Sequence, residues 1–100
     1  MKLEQSEKSL LFSETSLPDV FFAEHLSQMP GDYIKIYLYM VFLSKYNKDI
    51  KLNDLSKKLS LPLKTINDGI KFLEDNNFII KKTTGFILVN LQEETLHKLY

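Results

Sequence analysis

One hundred residues, 44% of them hydrophobic and 26% charged, with three glycines and three prolines, suffice for one compact core and exclude a disordered or fibrous chain. The absence of cysteine excludes a disulfide framework and a thiolate zinc site and fits a reducing cytoplasm. Thirteen basic residues, all lysine, balance thirteen acids, so the arginine that most often reads guanine in the major groove is missing.

Residues 1–9, "MKLEQSEKS", are polar and lead into no apolar stretch of signal-peptide length. We expect a loose N-terminus over 1–9, one domain over 10–91 and a C-terminal helical extension over 92–100. "LLF" at 10–12 suits a short strand. "SLPD" then carries helix-start signals, with Ser16 three residues before Asp19 and Pro18 near the first turn, which predicts a short helix over about 19–28. "MPGD" breaks it, and Asp32 is placed to cap the next helix.

That next helix, about 32–47, is apolar all round. Between Tyr33 and Tyr46, eleven of fourteen residues are aliphatic or aromatic, and a domain this small has little material to cover such a helix on every side. Part of it is therefore expected to meet another chain. Its longest unbroken apolar run, Ile36 to Leu43, falls far short of the roughly 20 residues that a membrane helix needs, so no membrane role is expected and the protein reads as cytoplasmic.

Ile50 to Leu52 reads as a short extended entry. Leu52, Leu55 and Leu59 recur at helical spacing over about 53–60, "SLP" breaks the pattern, and Leu63, Ile66, Ile70 and Leu73 stripe a second helix over about 63–77. Two short helices joined by a tight turn suggest a helix-turn-helix. Phe78–Lys82 and Phe86–Asn90 are β-prone runs around Thr83, Thr84 and Gly85, a loop in which Gly85 can take the positive φ of a hairpin turn. "LQEETLHKLY" closes the chain as a short helix. The expected fold is mainly α with a small β-wing, an α+β winged helix-turn-helix with an extra N-terminal strand and helix and a short C-terminal helix.

Nothing in the chain assembles catalytic chemistry. His25 and His97 are 72 positions apart without companions at ligand spacing, and the three glycines are isolated, so neither a metal site, a phosphate loop nor a cofactor is expected. The protein reads as a non-enzyme.

Residues 51–82 hold seven lysines against four acids, while the flanking segments are net acidic. On a helical wheel, the helix of 63–77 turns Lys64, Asp68, Lys71 and Asp75 outward, with Thr65 and Phe72 at the flank. Lys64, Thr65, Asn67 and Lys71 could meet DNA, with Lys81 or Lys82 of the wing on phosphate. The two lysines alternate on a strand, so one of them faces the duplex. Asp68 and Asp75 oppose such contact, and the outward Phe72 points to a protein partner.

The pattern "LPDVFFAEHL", "GD" opening the helix "YIKIYLYM", then "IKLNDLSKKLSLPLKTINDGIKFLEDNNFI" resembles, over about residues 11–90, the N-terminal winged-helix domain of the DnaD family of bacterial replication-initiation proteins. The resemblance implies a primosome module that self-associates and docks helicase-loading partners. In that family DNA binding and remodelling lie mainly in a separate C-terminal domain, which these 100 residues do not include. On this reading Leu10, Leu11, Phe12, Tyr33, Tyr37, Phe42, Tyr46 and Phe72 are the interface candidates, with core packing as the alternative for Tyr37 and Phe42, and the chain forms a homo-oligomer. The competing reading is a small dimeric winged-helix transcription regulator that binds duplex DNA.

Overall fold

The computed structural model describes residues 13–46, 49–83 and 85–99; Leu10, Leu11 and Phe12 lie outside the described residues, so the expected first strand does too. The described chain is mainly helical with one two-stranded antiparallel sheet, which agrees with the expected α+β class.

The segment expected as a helix over 19–28 is helical throughout but irregular: residues 19–20 are α-helical, Phe21–His25 make a π-helical turn and Leu26–Gln28 a 3₁₀ turn. The Leu26 N–H donates to the Phe21 carbonyl across five residues, a wider loop than the α-helical one. Neighbouring side chains on a helical path cannot face the same way, and the paired phenylalanines divide accordingly: Phe21 is buried and Phe22 is exposed.

Helix α1, Gly31–Lys45, starts where Pro30 holds extended backbone and accepts the Tyr33 and Ile34 N–H groups, each at 3.0 Å. Asp32, expected as the cap, lies inside the first turn, where its charge still opposes the positive end of the helix dipole. Lys51 is extended, and α2, Leu52–Leu59, begins one residue earlier than its leucine spacing suggests. Helix α3 spans Leu63–Asp75.

Two turns of the same kind set the path around α3. After α2, Ser60 adopts φ 55° and the Leu61 N–H reaches back to the Ser56 carbonyl at 3.1 Å; after α3, Asn77 adopts φ 63° and the Phe78 N–H reaches the Leu73 carbonyl at 2.8 Å. In each, a left-handed residue satisfies a helix-end carbonyl that would otherwise lack a partner. The second turn delivers the chain directly into β1, Ile79–Lys82, which pairs with β2, Gly85–Leu88. Gly85 has φ 153° and pairs with Lys82, so it opens the strand and is not part of the loop. The Asn90 side chain then accepts the Gln92 and Glu93 N–H groups at 3.0 and 3.1 Å and caps α4, Leu91–Leu99.

The core lies where α1 packs on α3. Phe21, Ile36, Ile66, Leu73 and Ile79 are fully buried, with Leu55, Leu61, Phe78 and Leu91 around them. Among the described residues, no helix is long and apolar enough to cross a membrane.

Gly69 sits at the point of contact. A Cβ there would overlap the Ile36 Cδ1 and stand 3.0 Å from the Tyr33 Cδ1. Alanine is worth about 1 kcal/mol over glycine inside an exposed helix, but overpacking a core costs about 1–3 kcal/mol, and Ile36 is fully buried. Gly69→Ala should therefore lower stability, with a fall in Tm of roughly 4–8 °C per kcal/mol for a chain of this size, read by thermal unfolding.

Candidate interaction surfaces

Three surfaces carry the residues singled out by the sequence. The first is the outward face of α3. Lys64, Asn67 and Lys71 are exposed there, together with Asp68, Glu74 and Asp75, while Thr65 is half-buried. Two lysines against three carboxylates leave no excess positive charge to attract phosphate. The first residue of α3, Leu63, is 42% exposed and Leu52 beside it equally so. The helix end that would meet base edges thus presents leucine.

Phe72, expected to stand outward, instead lies half-buried against Tyr33, with ring centroids 5.2 Å apart. Both aromatics are taken up in fastening α3 to α1. Each is only half-buried, so part of its surface stays exposed.

The second surface is the hairpin. Ile79 pairs with Leu88 and Lys81 with Phe86 on one face; Ile80 pairs with Ile87 and Lys82 with Gly85 on the other. Lys81 and Lys82 therefore point to opposite sides, as strand alternation requires, and both are exposed. Ile80 and Ile87, directly opposite each other, are 49% and 50% exposed. An apolar pair at the centre of the outer face does not favour phosphate.

The third surface is α1. Its inner side buries Ile36, Tyr37 and Leu43. Tyr37, an interface candidate from the sequence, belongs to the core: it is 3% exposed, stacks on Phe21 at 5.1 Å and meets Phe78 edge-on at 5.3 Å. The other side carries Leu38, Tyr39, Phe42 and Tyr46 at helical spacing. Phe42 links Tyr39 at 5.6 Å to Tyr46 at 5.4 Å, so three rings form one continuous stripe. Leu38 and Tyr46 are exposed and Tyr39 and Phe42 half-buried. Lys45 holds the Ser13 hydroxyl and the Glu14 carbonyl, and the Tyr46 hydroxyl donates to Ser13 Oγ at 3.3 Å, which brings the incoming chain to the end of this stripe. Leu38 and Tyr39 are additions to the residues that the sequence singled out. The all-round apolarity of 33–46 signalled such a face without showing which side it occupied.

Elsewhere, His25 packs edge-on against Phe78 at 5.0 Å, and among the described residues no group of three His, Asp or Glu could hold a metal ion. Comparison with protein-family models, curated proteins and solved structures gives no match.

Burial of Tyr37 raises its phenol pKa above 10.0, because desolvation disfavours phenolate. A pKa higher in the folded state stabilises the fold below the unfolded value near 10 and loses that contribution as pH climbs toward the folded one. Unfolding titrations across that alkaline range should show stability falling with pH, and Tyr37→Phe, which has no proton to lose, should flatten the decline.

Proposed function

We propose that this chain is a non-catalytic, cytoplasmic winged-helix module that self-associates and docks partner proteins. Its sequence pattern connects it with DnaD-like initiation of DNA replication. Contact with DNA is weak and non-specific at most. The observation that carries this reading is the stripe of Leu38, Phe42 and Tyr46 on the outer side of α1, edged by Tyr39, which also packs against the core. Aromatic rings with a polar handle, clustered on one helix face, are the composition of protein-binding hot spots. The mixed charge of the α3 face and the exposed Leu63 support it from the other direction, since they weaken the surface that a DNA reader would need.

Leu38→Lys with Phe42→Lys places two solvated charges in the middle of the stripe. Sedimentation across a concentration series should show the parent associating and the variant shifted toward monomer by about 100-fold or more in Kd, as removing two anchors of about 1.4–2 kcal/mol each implies. Circular dichroism checks that α1 is retained. A parent that stays monomeric at every concentration removes self-association through this face.

A second reading, the dimeric regulator of transcription, is favoured by the exposure of Lys64, Asn67 and Lys71 along one side of α3. Fluorescence anisotropy with duplex and single-stranded DNA over a salt series separates the two. For the protein-docking module, binding is weak and indifferent to changing Lys64, Lys71, Lys81 and Lys82 to Gln. For the regulator, one duplex is preferred and the four changes reduce the log–log salt slope by about 3–4, since each lysine neutralises one phosphate.

A further inference from the structure

We propose that the groove between the C-terminal end of α1, the start of α2 and the outer edge of β2 is a docking site for an extended apolar segment, and that its occupant is Leu10, Leu11 and Phe12 of the same chain. The groove has a volume of about 680 Å³; Met40, Leu43, Leu52, Leu63, Phe86 and Leu88 give it a mainly apolar wall, to which Ser44, Asp49, Lys51 and Asn53 add polar points, a size and lining suited to a few apolar side chains.

The edge of β2 gives the groove a second means of recognition. The Val89 N–H donates to the Phe78 carbonyl at 2.9 Å, and 78 and 89 continue the register of the hairpin. Hydrogen-bonded pairs alternate along an antiparallel ladder, so residues 85, 87 and 89 turn their backbone groups toward β1. Phe86 and Leu88 turn theirs away, into the groove that their side chains help to line. Among the described residues the sheet has no third strand. An unpaired edge beside an apolar trough is the arrangement that captures an added strand, with main-chain bonds for affinity and side-chain pockets for selectivity.

The course of the N-terminal segment selects the occupant. Ser16, Leu17 and Pro18 line a smaller cleft with Leu88 and Leu91, and Ser13 is held by Lys45 and Tyr46. Going back from Pro18 to Ser13, the chain thus advances along α1 toward the groove, and Lys45 adjoins Ser44 in the groove wall. Three further residues reach about 10 Å from Ser13 at roughly 3.3–3.6 Å per residue. Those three are uncharged and apolar, whereas residues 1–9 are mostly polar. A segment tethered this closely competes at an effective concentration of about millimolar, which a second copy in dilute solution does not match.

The chain has no cysteine, so an introduced pair can be read without background. Leu11→Cys with Leu52→Cys, mildly oxidised, should form a disulfide within the monomer, in a yield independent of protein concentration. In a second variant, Leu10, Leu11 and Phe12 are changed to Ser, and hydrogen exchange at the Phe86 and Leu88 amides should speed up by roughly tenfold or more relative to the parent as the edge is uncovered. Covalent dimers whose yield rises with concentration would assign the groove to a second copy and overturn the proposal, as would failure to cross-link or unchanged exchange at these amides. If the triple variant does not fold, the cross-link decides alone. None of these outcomes touches the outward stripe of α1, so self-association through that face stands or falls separately.

Discussion

The close approach of α1 and α3 at Gly69 is the constraint from which the rest of the arrangement follows. Without a side chain at that position, Ile36 can press against the backbone of α3, and the neighbouring turns of α1 come into register with their partners. One turn earlier, Tyr33 meets Phe72; one residue later, Tyr37 enters the space between Phe21 and Phe78. Each aromatic pair adds about 0.5–1.5 kcal/mol beyond the area it buries. The π-helical turn, α3 and the residue that opens the hairpin are thereby joined through a single helix. Phe78 is both the end of the α3 turn and an edge of the aromatic cluster, and Ile79 beside it buries the root of the hairpin in the core.

A helix that does so much on one side is not exhausted by it. The same apolar sequence that supplies Ile36, Tyr37 and Leu43 inward supplies Leu38, Phe42 and Tyr46 outward, where Leu38 and Tyr46 are exposed and Phe42 half-buried. The charged surface follows a different pattern. The α3 lysines are diluted by carboxylates a turn away, and the hairpin lysines flank isoleucines. The molecule's unusual surface features are therefore apolar, and its charges are placed as those of an ordinary solvated exterior, which is the physical basis for preferring protein docking over DNA reading.

Much of this was legible in the sequence, because leucine spacing and β-prone runs are local signals. The bounds of α2, α3 and the strands fall within two residues of those expected, and Lys64, Asp68, Lys71 and Asp75 lie outward as a helical wheel places them. Expectation failed where the deciding partner was distant. Phe72 falls at the flank of its own helix, and Tyr33, which covers it, is 39 positions away. Tyr37 could be assigned to neither core nor interface until Phe21 and Phe78 closed around it. The π-helical turn escaped for another reason: over five residues, an apolar pattern cannot distinguish a bond that spans five positions from one that spans four. The β2 groove, built from four separate segments, had no local signature.

The hairpin carries apolar residues on both faces, Ile79 and Leu88 inward, Ile80 and Ile87 outward, so burial alone discriminates poorly between its register and one slipped by a residue. The register is held at the root, where the Phe78 carbonyl, itself fixed by the turn after α3, receives the Val89 N–H. The ribbon behaves as a zipper started from its closed end: its tip can change in length or composition without re-aiming either strand, whereas a single residue gained or lost between Leu73 and Phe78 would turn the whole ribbon over and exchange its inner face for its outer one.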